Sequence, residues 1–235
     1  KEMNMNKLQG IKLSFIAFAA LMVIGCNSTN PTNAPQVSPE GMELKKSTRS
    51  TIAYTKEGVD FSEYDKVQIL PSAVAFKKNW KRDYNRDQVS LSTRVSDADV
   101  IRMKADVATL FDEIFKEEFG KSAKFPIVDK VGSNTLVIRP AIINLDVAAP
   151  DIKSSINVKT YASEAGQATL FIELYDGVSG EILARAVNTA VAGDNSYYQW
   201  ANRVSNRADA KRMIRKWAKA LRVKFDEAHM PKATK

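Results

Sequence analysis

Apolar and polar positions alternate with different periods along the chain, and each period predicts an element. From Tyr64 to Phe76, YDKVQILPSAVAF, Val67 and Ile69 alternate with polar neighbours, the pattern of a half-buried strand. Pro71 cannot donate to a ladder, so it marks an edge, a bulge or the strand's end. The mixed-charge stretch Lys77 to Gln88, KKNWKRDYNRDQ, predicts a loop carrying Trp80 and Tyr84. After Ser96 the period becomes helical. Met103, Val107, Leu110, Phe111, Ile114 and Phe115 recur on one face. Ser96 with Asp99 three residues on makes a capping box, and Gly120 is a candidate stop after Phe119. The carboxylates Asp112, Glu113, Glu117 and Glu118 are expected on that helix's solvated side.

The middle of the chain predicts strands. FPIVDKVGSNTLVIRPAIINLDV has Pro126 and Gly132 as punctuation and an apolar run from Leu136 to Val147. Ala148 to Gly166 is less regular. A hairpin follows, with strands Ala168 to Tyr175 and Glu181 to Ala190 joined by Asp176-Gly177-Val178-Ser179-Gly180. The last element is a helix from about Asn206 to Ala228, capped by Ser205 or Asn206 with Asp209 in the first turn. Met213, Ile214, Trp217, Leu221 and Phe225 make its apolar stripe, with Lys211, Arg212, Arg215, Lys216, Lys219 and Arg222 around the rest. The order β-α-β-β-β-α predicts an α+β fold: a largely antiparallel sheet with two amphipathic helices packed on one face.

The amino-terminal segment has neither period. Lys7 and Lys12 precede an apolar run from Leu13 to Ile24, LSFIAFAALMVI. That is the form of a secretory signal peptide, and it falls short of the roughly 20 apolar residues a membrane-spanning helix needs. The chain has one cysteine, Cys26, and it closes this run as Val23-Ile24-Gly25-Cys26. The motif resembles the lipobox of bacterial lipoproteins, in which the cysteine carries lipid, palmitate included, and anchors the protein in the membrane. By the same resemblance, Asn27 and Ser28 in place of an aspartate imply the outer membrane, with the domain facing the periplasm. Met5 gives the cleanest start to such a signal. The expected organisation is a signal peptide over residues 1–25, the lipidated cysteine and a flexible Asn/Thr/Ser/Pro-rich tether over 26–58, and one α+β domain over 59–235.

Composition narrows the chemistry. The mature chain lacks a second cysteine and holds one histidine, His229, in a basic tail where a solvated end residue is expected. Zinc sites and nucleophile–histidine pairs draw on residue types this chain nearly lacks, so no catalytic residue, metal ligand or cofactor is assigned. The formal charge of +8 suits an anionic glycan or lipid, and the export signal argues against nucleic acid as partner.

The segments YDKVQILPSAVAF, FPIVDKVGSNTLVIRPAIINL, ELYDGVSGEILA and WAKALRVKFD, spanning Tyr64 to Asp226, together resemble an uncharacterised family of bacterial lipoproteins, DUF3313. The resemblance implies a location and a fold and no activity.

Three functions fit these observations. The first is a non-catalytic binding or assembly module of the cell envelope, contacting an envelope protein or an anionic glycan or lipid. The second is a hydrolase of an envelope polymer, which needs two convergent carboxylates from Asp65, Asp146, Glu173 and Asp176. The third is a lipid- or lipopolysaccharide-binding protein using the basic terminal helix. For the first, the hairpin supplies a surface. Leu170, Ile172 and Leu174 are expected under the helices, which leaves Phe171, Tyr175, Leu183 and Val187 on the outer face as the candidate partner surface, with Glu173 paired to Arg185. Trp217 is expected in the core.

Overall fold

The computed structural model describes residues 34–122, 124–147, 150, 160–162, 166–192, 199–201 and 203–230. Its strands are β1 (Glu43–Ser47), β2 (Thr51–Thr55), β3 (Lys66–Ile69), β4 (Ala73–Phe76), β5 (Thr135–Val147), β6 (Thr160–Ala162), β7 (Gly166–Asp176), β8 (Ile182–Ala192) and β9 (Gln199–Ala201). Its helices are α1 (Trp80–Arg86), α2 (Asp97–Phe119) and α3 (Arg203–Ala228). Seven strands form one sheet in the order β1-β2-β8-β7-β5-β3, with β4 also on β5, while β6 and β9 pair separately. Along the path β1-β2-β8-β7-β5 each strand runs antiparallel to the next. β3 and β4 lie parallel to β5, one after the other along the same edge. A parallel pair requires a long crossover, and α1 and α2 supply it. The break between β3 and β4 falls at Leu70 to Ser72, around Pro71. The α+β class and the largely antiparallel sheet are those the periodicities predict.

Both long helices sit on one face of the sheet. α2 rests on β3 and β4, α3 rests on β8, and the two helices lie against each other. The apolar face of α2 is aromatic at four-residue steps. Phe111, Phe115 and Phe119 are each fully buried, with Phe111 and Phe115 stacked at 4.1 Å between centroids. Phe125 continues the column and meets Phe225 of α3 edge-on at 4.8 Å. Burying each such side chain contributes about 1.5–3 kcal/mol, so this column dominates the core. The capping box of α2 is present: Ser96 Oγ accepts from the Asp99 amide at 3.1 Å, and Asp99 Oδ2 accepts from the Ser96 amide at 3.0 Å. Trp217 is buried, and its Nε1 donates to Asn188 Oδ1 of β8 at 2.7 Å, which fixes α3 on the sheet.

Several boundaries differ from the sequence expectation. Residues 43–55, expected within a tether through residue 58, form β1 and β2, a hairpin that extends the sheet at β8. Residues 34–42 fold back beside it: Val37 bridges to Glu43, and the Leu44 amide donates to the Gln36 carbonyl at 2.8 Å. α3 begins at Arg203, so Ser205 and Asn206 lie inside the helix and do not cap it. The expected loop at Lys77 to Gln88 contains α1, whose Trp80 is buried and stacks on Phe76 at 4.2 Å. Gly120 ends α2 with right-handed backbone, φ −64°, because the last turn closes by bonds to Lys116 and Glu118.

Candidate functional site

The outer face of the sheet is built by the alternation of β7 and β8. Leu170, Ile172 and Leu174 point into the helix-side core, as do Ala184 and Ala186 opposite them. Phe171, Glu173 and Tyr175 therefore point outward, with Val187 opposite Phe171 and Arg185 opposite Glu173. Phe171, Tyr175 and Val187 are half-buried.

Leu183 does not belong to this face. The β7–β8 register shifts between Leu174 and Tyr175: Leu174 pairs with Ala184, and Tyr175 with Ile182. The extra residue is Leu183, and it joins the core at 4% exposure. A bulge interrupts the two-residue alternation, so counting along the strand assigns this one residue to the wrong side.

The centre of the outer face is charged. Glu173 is buried on the sheet surface and its carboxylate is fully engaged. Oε1 accepts from Arg185 Nε at 3.0 Å and from a guanidinium amine at 2.8 Å. Oε2 accepts from the Tyr175 hydroxyl at 2.7 Å, with Arg139 at 3.6 Å. The far edge of Arg185 meets Glu40 in a two-pronged pair at 3.0 and 2.9 Å, and its guanidinium carbon lies 5.6 Å from the Phe171 ring centre. The hydrogen bond from Arg185 holds the Glu40 carboxyl down at about 2. Burial first, and then its bond to Glu173, pushes the Tyr175 hydroxyl above its ordinary value. The pairing of Glu173 with Arg185 is the one the strand register implies; Glu40, three residues before β1, carries no local signal for it.

Glu40 belongs to a segment that lies on this face. The Tyr54 hydroxyl of β2 donates to the Pro35 carbonyl at 3.0 Å, and Tyr54 pairs with Arg185 across the β2–β8 ladder. Ser38 and Met42 are buried, and the Met42 amide donates to Ser38 Oγ at 3.1 Å. The outer face is thus partly covered by residues just ahead of the sheet.

The remaining sequence candidates separate. Asp65 pairs with Lys66 and Asp146 with Lys77. Asp176 organises the hairpin turn: its Oδ1 accepts from the Val178 and Ser179 amides at 3.0 and 2.6 Å and from the Ser179 hydroxyl at 2.8 Å. Its other oxygen accepts from the buried Tyr64 hydroxyl at 3.2 Å, and burial together with the Asp176 charge pushes Tyr64 up to about 12. Gly177 has no room for a side chain, since a Cβ would lie 2.6 Å from the Thr135 carbonyl oxygen, and Gly180 takes a positive φ of 69°. The Asp-to-Glu turn motif is therefore a folding device. Among the described residues, no three His, Cys, Asp or Glu side chains gather as metal ligands would.

Two expectations are corrected. Glu118 is not on a solvated face: it is 3% exposed and meets Lys121 and Arg215. Asp112 likewise caps the Ser72 amide at 3.0 Å, tying α2 to the β3–β4 break. His229 is not a free end residue. Its ring packs near Phe125 and Phe225, with Nδ1 2.7 Å from the Phe225 carbonyl oxygen and Nε2 2.8 Å from that of Tyr64. Both errors arise from partners far away in sequence. Cys26, Asn27 and Ser28 lie outside the described residues, as does most of the irregular stretch after Ala148. No helix among the described residues is long and apolar enough to cross a membrane.

No curated protein sequence is significantly similar to the chain. Among solved structures, the PelC dodecamer of Paraburkholderia phytofirmans matches with 14% identity and a TM-score of 0.38, covering 73% of this chain and 97% of PelC. The hypothetical protein CT253 of Chlamydia trachomatis matches with 10% identity and a TM-score of 0.35, covering 68% and 98%. The protein XCC0632 of Xanthomonas campestris, of family DUF330, matches with 9% identity and a TM-score of 0.36, covering 68% and 82%. Similarity at that level transfers neither fold nor function. The family model described as Protein of unknown function (DUF3313) matches residues 37–221, most of the chain, and the chain belongs to that family.

Proposed function

We propose that this protein is a lipid-anchored module of the bacterial cell envelope, attached through Cys26 to the outer membrane, facing the periplasm, and acting by binding rather than by catalysis. The observation that carries the reading is Val23-Ile24-Gly25-Cys26 at the end of the apolar run, nine residues ahead of Pro35, whose carbonyl accepts from Tyr54 of β2. Nine residues span at most about 30–32 Å when fully extended. The domain is therefore held beside its membrane, at less reach than a 30-residue tether would allow. Several acyl chains at one cysteine anchor firmly, since each buried CH₂ contributes ~0.8 kcal/mol.

The binding half of the reading rests on the outer face. Phe171, Tyr175 and Val187 offer half-buried apolar surface around Arg185, a setting that suits an envelope protein or an anionic glycan or lipid. Against a hydrolase, Asp65, Asp146, Glu173 and Asp176 are each engaged by their own cation or turn donors. Replacing Cys26 with Ser is expected to abolish acyl labelling and to release the protein from outer-membrane fractions. Retention of label, or wild-type protein in inner-membrane fractions, defeats the assignment. Val187→Lys is expected to leave the fold intact and to remove crosslinks to the partner. Unchanged crosslinks would move the interface elsewhere.

A further inference from the structure

The loop between α1 and α2 holds two aliphatic side chains out in solvent. Val89 is 102% exposed and Leu91 78% exposed. The loop is not slack. Asn85 closes its base, donating to the Val95 carbonyl at 2.8 Å and accepting from the Val95 amide at 2.7 Å. Ser90 accepts from the Ser92 amide, and Thr93 Oγ1 donates back to the Ser90 carbonyl at 2.8 Å. Val95, six residues after Val89, is buried beside Trp80 and Met103. The same loop therefore buries one aliphatic residue and presents two others, on a framework bonded to itself.

The stretch that carries the two is cationic. Residues 77–94 contain six Lys and Arg against two Asp. Arg82, Arg86 and Arg94 are exposed, as are Lys77 and Lys78. Asp83 and Asp87 offset part of this charge through pairs at 2.9 to 3.9 Å, and Lys77 and Lys81 are paired with Asp146 and Asp97. Exposed aliphatic tips on a net-cationic stretch match the interface of an anionic bilayer, where apolar side chains enter the acyl boundary and Lys or Arg meet the phosphates. A protein partner would gain from the apolar pair but has no need of the surrounding charge.

We propose that Val89 and Leu91 form a membrane-inserting toe that seats the domain on a phospholipid surface containing anionic headgroups. The proposal deepens the anchored reading above and uses its short tether: a domain held within about 32 Å of a bilayer must turn some face to it. The toe and the anchored segment are separate contacts. The Lys77 amide bonds to the Leu145 carbonyl, six residues along β5 from Arg139. Arg139 lies in the row of Glu173 and Arg185, where residues 34–42 dock. Six strand residues span roughly 20 Å. The chain that leads into the toe therefore leaves the sheet well away from that row, and a second contact beside the anchored segment fixes how the domain is oriented, which one tether cannot do.

The test uses the mature chain, residues 26–235 with Cys26→Ser, which retains every described element and carries no lipid. Sedimentation with phosphatidylethanolamine vesicles, with and without phosphatidylglycerol, is expected to show binding that requires phosphatidylglycerol. The charge-neutral pair Val89→Ser and Leu91→Ser should weaken it about tenfold while the thermal transition stays unchanged. An environment-sensitive dye on Val89→Cys should be quenched by lipid-borne quenchers, and the same dye on Val178→Cys, exposed at the opposite end of β5, should not. Absence of binding, equal binding by the serine pair, or equal quenching at both positions each overturns the toe. Loss of acyl labelling on the wild-type chain would defeat the anchor alone, because the vesicle experiment does not depend on it.

Discussion

The two faces of the central sheet are stabilised by different physics. Toward the helices, Leu170, Ile172 and Leu174 meet a continuous apolar layer that includes the phenylalanines of α2 and Trp217 of α3. On the opposite side, the same strand presents Glu173 between two arginines and a tyrosine, with an amino-terminal segment laid over it. The inner face depends on burial, which is non-directional and insensitive to charge state. The outer face depends on a few directed, charge-assisted bonds, which respond to pH and to single-atom changes. A surface that must keep a fixed fold while exchanging contacts with a partner is better placed on the second side than on the first.

The largest effect should come from the inner face. Trp217→Ala removes a buried indole and leaves the side-chain oxygen of Asn188 without its donor. It is expected to destabilise by about 3–5 kcal/mol in urea or thermal denaturation. A curve superimposable on wild type would mean that α3 does not hold the core.

Glu173→Ala tests the outer face and should rank second. The buried carboxylate disappears, but Arg185 keeps Glu40 and Arg139 is exposed to solvent, so no buried charge is left unpaired. The expected loss is about 2–3 kcal/mol, below the usual cost of stranding a buried ion. If the loss equals or exceeds that of Trp217→Ala, the outer face is core in all but name and the contrast between the two sides fails.

How far each side is legible in the sequence follows from the same physics. α2, α3 and the β7–β8 hairpin each bury one continuous stripe, so their period shows in the residue pattern. β1 and β2 carry no such signal. ELKKS and TIAYT follow a proline-containing stretch, have no fully buried position, and owe their place to pairing on β8. Leu183 is misread because a single bulge reverses the alternation, and nothing in its neighbours marks the bulge. The outer network is half legible. Glu173 opposite Arg185 follows from strand register, whereas Glu40 reaches Arg185 across 145 positions of sequence. Burial of Glu118 by Arg215 and the carbonyl contacts of His229 are likewise long-range.

A smaller change probes the network without touching its charges. Tyr175→Phe deletes only the hydroxyl that donates to Glu173, leaving the ring in place. A hydrogen bond to a charged group contributes about 1.5–3 kcal/mol, and with Arg185 still on the carboxylate the lower end is expected here, read as a shift in the denaturation midpoint. Because Arg185 still holds the other carboxylate oxygen, the partner crosslinks of the outer face should persist in this variant. Their loss at unchanged stability would make the Tyr175 hydroxyl a contact group rather than a support.

The least costly perturbation to the fold is protonation of Glu40. Its carboxyl sits at about 2, against an ordinary value of 4.5, because Arg185 bonds its charged form. A carboxylate with a lowered folded value stabilises what it holds above its ordinary value, and that stabilisation is lost as pH falls toward the folded value. Attachment of residues 34–42 should therefore be complete above pH 4.5 and loosen between about 4.5 and 2. Hydrogen exchange can follow it at the Met42 amide, which is protected only while Ser38 accepts from it, with an amide of β5 inside the sheet as the internal reference. Met42 should lose protection relative to that reference across this window. Asp176 is also held below its ordinary value by the Ser179 donors, so acid acts on more than one group. Glu40→Gln separates them. It should weaken protection of Met42 already at neutral pH and remove most of the further change on acidification. A variant that keeps the wild-type pH dependence would show that the segment is held by Ser38, Met42 and the Tyr54–Pro35 bond, and that the charged pair is incidental to covering the outer face.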